Sequence, residues 1–85
     1  MKQHPTELLS TVELWIAFLE KQEQFELLKI AKVTHMKLKS LSDVYEQVGG
    51  LTENQNVVLN LCIKDYEYIQ QELLRLRYEP KNLLH

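Results

Sequence analysis

Apolar residues recur at helical spacing along almost the whole chain. Leu8, Val12, Trp15 and Leu19 follow the i, i+4, i+7, i+11 rule, with Leu9 and Ile16 beside them. Pro5 before Thr6 and Glu7 suits a helix start, because proline fits the first turn and glutamate favours the positive end of the dipole. A second stripe runs through Leu27, Ala31, Thr34, Leu38, Leu41, Tyr45 and Val48 in alternating steps of four and three, widened by Ile30 and Val44. Gly49-Gly50 closes it, since glycine takes the left-handed conformation of a helix C-terminus without steric cost. Thr52 and Gln55 have capping-box spacing, with Leu51 as a hydrophobic staple. A third stripe then runs Leu59, Cys62, Tyr66, Ile69, Leu73, Leu76 and ends before Pro80, with Arg75 and Arg77 in its last turn.

The pattern predicts helices over about 6–21, 23–48 and 53–78. The uncertain join is Lys21-Gln22-Glu23-Gln24, where the apolar stripe lapses but every residue is a good helix former. A bend there gives a three-helix bundle. Continuity gives one long helix over residues 6–48, with the last helix folded back as a hairpin, and leaves Leu8, Leu9, Val12, Trp15, Ile16 and Leu19 to be covered by another chain. The expected fold class is therefore all-α: a helical hairpin or three-helix bundle with coiled-coil-like antiparallel packing, the three-helix count being preferred. Dimerisation is expected, because the last helix carries another stripe, Val57, Leu61 and Tyr68, interrupted by Lys64. A helix apolar on two sides sits between two neighbours. Leu14 and Phe18 form a smaller patch of the same kind.

Composition narrows the function. With 85 residues and 45% apolar content, residues 1–85 read as a single helical domain with one small core. A single cysteine excludes an internal disulfide framework and a multi-cysteine zinc site. The longest unbroken apolar run, Leu14 to Leu19, is far short of the about 20 residues a membrane span needs. Residues 1–5 do not open a signal peptide, so a cytoplasmic location with reduced Cys62 is expected.

The net charge of -2 conceals alternating blocks. Residues 1–26 hold two lysines against five glutamates, and residues 27–42 hold four lysines and no acid. Residues 43–72 hold six acids against Lys64, and residues 73–85 hold three basic residues against Glu79. Such blocks pair with one another across antiparallel helices, or with a partner; the first is the simpler reading.

Catalytic chemistry finds little support. His4, His35, His85 and Cys62 lack metal-ligand spacing. Cys62 lies on the main apolar stripe and reads as an inert core thiol rather than a nucleophile. Ser10, Ser40 and Ser42 stand in no nucleophile motif, and Gly49-Gly50 is not a phosphate loop. Glu20 and Glu23 read as surface carboxylates, and Asp65 as an edge carboxylate that pairs with a basic residue of another helix, the alternative being a polar residue that fixes register or partner. No enzyme, cofactor or metal is expected.

The expectation that remains is a small interaction regulator or adaptor, such as an inhibitor, an antirepressor-like factor or an assembly chaperone, docking a helix face on a larger protein. Trp15 and Phe18 are expected as anchors, Lys29, Lys32 and Lys39 as the groups that steer an acidic surface, and Leu61 and Tyr68 as further contacts. A dimeric nucleic-acid-binding regulator using the Lys29–Lys39 face is the alternative; the mildly acidic balance and the absence of Arg from that face weigh against it. A structural subunit of a larger helical assembly is the third.

Overall fold

The computed structural model describes residues 4–76, and these fold as three packed helices with no strand among the described residues. Helix α1 spans Pro5–Lys21, α2 spans Phe25–Val48 and α3 spans Glu53–Arg75. Residues 77 and 78, where the sequence pattern extends the last helix, lie outside the described residues.

Each helix start has a local cause. His4 caps α1: its Nδ1 accepts from the Thr6 backbone N–H at 3.1 Å, and Pro5 takes the first helical position. The capping box of α3 is complete. The Gln55 N–H donates to Thr52 Oγ1 at 3.2 Å, and Thr52 N–H donates to Gln55 Oε1 at 2.9 Å. Gly49 ends α2 at φ 76°, its N–H donating to the Tyr45 carbonyl at 2.8 Å.

The join at residues 22–24 is a turn, and this sets aside the continuous helix. Glu23 takes φ 55°, the left-handed region. Its N–H donates to the Glu20 carbonyl and that of Gln24 to the Leu19 carbonyl. This bond pair is a Schellman closure with glutamate where glycine is usual. A side chain in that conformation costs roughly 1–2 kcal/mol. Glu23→Gly is therefore expected to raise the unfolding free energy by about 1 kcal/mol, read as a higher urea midpoint at unchanged slope. A continuous helix through residue 23 would give the opposite sign, since glycine weakens a helix interior.

The turn lets α1 fold back on α2. Their cross-helix contacts run His4 with Tyr45 and Glu46, Thr6 with Ser42, Glu13 with His35 and Glu20 with Lys32. As one partner rises from 4 to 20 the other falls from 46 to 32, so the helices are antiparallel. The four-residue link 49–52 likewise reverses α3 against α2. Helix α2 is the central element, and α1 and α3 flank it. Where they meet each other, Trp15 lies against Tyr66, the ring centroids 4.5 Å apart at a 42° tilt.

The core lies between the three stripes read from the sequence. Val12, Leu19, Ala31, Leu38 and Ile69 are fully buried, and Leu8, Trp15, Cys62 and Leu73 nearly so. Ile16, Ile30, Tyr66 and Leu76 pack against this core partly exposed. Val48 departs from its stripe: at the last turn of α2 it has no helix over it and is 73% exposed.

Two polar side chains are buried with the core. Ser42 is satisfied by Thr6, the hydroxyl oxygens 2.6 Å apart. Thr34 Oγ1 has no hydrogen-bond partner among the described residues. A buried hydroxyl without a partner carries a desolvation cost of about 1–3 kcal/mol. Thr34→Val keeps the shape and removes that cost, so the melting temperature is expected to rise by roughly 4–8 °C, measured by circular dichroism. An unchanged or lower Tm would show that the hydroxyl is satisfied.

Candidate functional site

Packing α1 against α2 decides which of the expected contact residues face solvent. Trp15 is 4% exposed and packed on Tyr66, so it is a core residue. Its assignment as a docking anchor is corrected here: folding α1 onto α2 consumes the very stripe to which it belongs. Phe18 is half-buried against the same core. Lys29, Lys32, Lys39, Leu61 and Tyr68 are all exposed.

The charge blocks are used in part within the fold. Lys32 Nζ lies 3.8 Å from Glu20 Oε2, and His35 Nε2 lies 3.1 Å from Glu13 Oε2, both across the α1–α2 seam. Lys39 pairs with Asp43 one turn along at 3.1 Å. Apart from the half-buried His35 these groups are largely solvated, so each lysine pair contributes about 0–1 kcal/mol. Lys37 and Asp65 approach Cys62 from α2 and α3 and act on its thiol in opposite senses, but burial is the larger influence and pushes the thiol up from its ordinary value. Asp65 is half-buried and makes no ion pair among the described residues.

Two outward faces remain. The first is on α2, on the side away from the core. At about 100° per residue, Phe25, Lys29, Lys32 and Met36 fall within about 60° of one another. Phe25 is 65% exposed and Met36 64%, with Val33 on the margin. Lys29 has no ion-pair partner among the described residues. Phe25, Glu26, Leu28, Lys29 and Lys32 border a shallow hollow of about 370 Å³. Two large apolar side chains therefore bracket a pair of lysines along three turns. Sequence reasoning singled out the lysines of this face but missed Phe25. The signal was present in its spacing, four residues before Lys29 and seven before Lys32. It was hidden because Phe25 follows directly on the lapse in the stripe and its helix start was not fixed.

The second face is on α3, where Val57, Leu61 and Tyr68 are each about half exposed, opposite the buried Leu59, Ile69 and Leu73. This is the extra stripe expected from the sequence.

A further concavity among the described residues is an open cleft of about 550 Å³ at the end of the bundle, between His4, Tyr45, Leu51, Asn56 and Asn60. Its polar groups serve the fold: His4 caps α1 and lies edge-on to Tyr45, and the Asn56 amide donates to the Leu51 carbonyl. No group of three or more potential metal ligands occurs among the described residues, and no described helix is long and apolar enough to cross a membrane.

Comparison with protein-family models, with curated proteins and with solved structures finds no match to this chain.

Proposed function

We propose that this chain is a small non-enzymatic regulator or adaptor that docks the outer face of α2 on an acidic surface of a larger protein. The observation that supports it is the pair Lys29 and Lys32 set between exposed Phe25 and Met36 on one side of a helix whose other side is core. A bare aromatic and a thioether supply the buried contact, and the lysines between them favour a partner that is acidic. The mechanism is occlusion: the helix covers a surface that the larger protein needs for another contact. In this reading the protein works in the cytoplasm as a homodimer, its seven-residue stripes packed in coiled-coil fashion.

The test compares the tagged chain with its Lys29→Glu/Lys32→Glu variant by purification from source cells, with and without nuclease, and mass spectrometry of what is recovered. The expected result is one protein near stoichiometry with the native chain, insensitive to nuclease, and reduced at least about ten-fold with the variant. Equal recovery with both forms contradicts the reading. Recovery that disappears with nuclease transfers the same lysines to a nucleic-acid role, which further predicts steep weakening with salt.

A further inference from the structure

We infer that α3 pairs with α3 of a second copy in one antiparallel register, set by Val57, Leu61, Glu53 and Lys64; this deepens the homodimer of the proposed function. The stripe Val57, Leu61, Lys64, Tyr68 occupies about 60° of the helix surface on the side away from the core. Its apolar members are half exposed, and neither Lys64 nor Glu53 has an ion-pair partner among the described residues.

Around a two-fold axis, an antiparallel helix pair brings each flank against the same flank of its copy. Setting Val57 against Leu61 of the second copy places the axis beside residue 59, and symmetry repeats the contact. Lys64 and Glu53 lie on one flank of the stripe, five and six residues to either side of that axis. Each Lys64 then meets Glu53 of the second copy, and two ion pairs close the interface. On the other flank the same operation brings Asp65 to Asn54 of the second copy, giving this half-buried carboxylate a donor. Tyr68 reaches toward the Gly49-Gly50 turn of the second copy, where no side chain obstructs it.

The charges also reject the neighbouring solution. Setting Leu61 against Tyr68 of the second copy moves the axis to residues 64–65 and sets Lys64 against itself, a like-charge contact at the centre. A register is thus selected by complementarity rather than by apolar area. The area sets the strength. One helix pair over residues 53–68 buries less than the about 1,200–2,000 Å² of a standard stable interface, so the dimer is weak and concentration-dependent.

Sedimentation equilibrium over roughly 1–500 μM tests this, a range that spans weak association. The native chain is expected to pass from monomer to dimer. Glu53→Lys and Lys64→Glu are each expected to raise the dissociation constant about ten-fold or more, and the double reversal to return it to within about three-fold of native. Leu61→Asp is expected to leave a folded monomer, verified by an unchanged helical circular-dichroism signal. A native chain that stays monomeric throughout, or a double reversal that restores nothing, overturns the inference. The Lys29→Glu/Lys32→Glu variant lies on another helix and is expected to self-associate as the native chain does. Loss of partner capture with dimerisation intact, or the reverse, therefore shows which of the two readings has failed.

Discussion

Trp15→Ala is expected to cost about 3–5 kcal/mol of folding stability, close to the whole margin of a domain this small. The indole is 4% exposed and tilted against Tyr66, where α1 meets α3. Removing it opens a cavity between all three helices, because Leu8, Val12 and Leu19 are held by the same stripe and relax only in part. Trp15 is the only tryptophan, so its fluorescence reports on the core directly. Emission is expected to be blue-shifted in the native chain and to move red in step with the loss of helical signal in urea. Trp15→Phe keeps the aromatic contact and is expected to recover most of the loss. Unchanged stability in Trp15→Ala would return the residue to the surface, with the long-helix arrangement and its uncovered N-terminal stripe.

Cys62 is expected to react with a thiol reagent at a rate suppressed roughly a thousand-fold or more relative to the urea-unfolded chain. The side chain is 1% exposed, between Leu59 and Tyr66 on the inner side of α3. The thiolate is the reactive form, and burial disfavours it, pushing the thiol up; nearby Lys37 opposes this and Asp65 adds to it. Reaction therefore waits on opening of the helix, and its rate follows the open population. A pH effect follows from the same shift. The native state holds this proton more tightly than the unfolded chain. The thiol's contribution to stability is whole below the ordinary thiol range and is lost as the pH rises from there through the native value. Urea midpoints are expected to fall on the alkaline side in the native chain and less so in Cys62→Ala, after allowing for the cavity that this substitution leaves. Fast labelling of the folded chain at neutral pH would make Cys62 an accessible thiol and would reopen the question of its chemistry.

Much of the fold was legible because the signals are local. Thr52 and Gln55 sit three apart for a geometric reason that holds in any context, and both of their bonds form. Gly49 marks the end of α2 because few other residues tolerate its backbone conformation. The turn at 22–24 was not legible in the same way. It uses Glu23 in the left-handed region, and nothing in the sequence marks a glutamate for that position. Tertiary packing of α1 on α2 imposes it against local preference.

The contact residues depended on that one turn. A stripe holding Trp15 has the same spacing whether it covers the chain's own core or a partner's groove. Only the reversal at residue 23 chooses between them, and it sends Trp15 inward. The same reversal leaves Phe25 outside as the first residue of α2. The lysine face and the Val57, Leu61, Tyr68 stripe were legible because both lie within single uninterrupted helices, where spacing alone fixes which side chains share a side.

The most direct measurement is hydroxyl-radical footprinting of the chain alone and bound to the protein recovered with it. Met36 and Phe25 are both reactive side chains, and both are nearly two-thirds exposed in the free chain. Both are expected to label readily alone and to be strongly protected in the complex, with Trp15 protected in both states. Labelling of Met36 and Phe25 that is the same with and without the partner would contradict it, placing the contact on another face of the bundle.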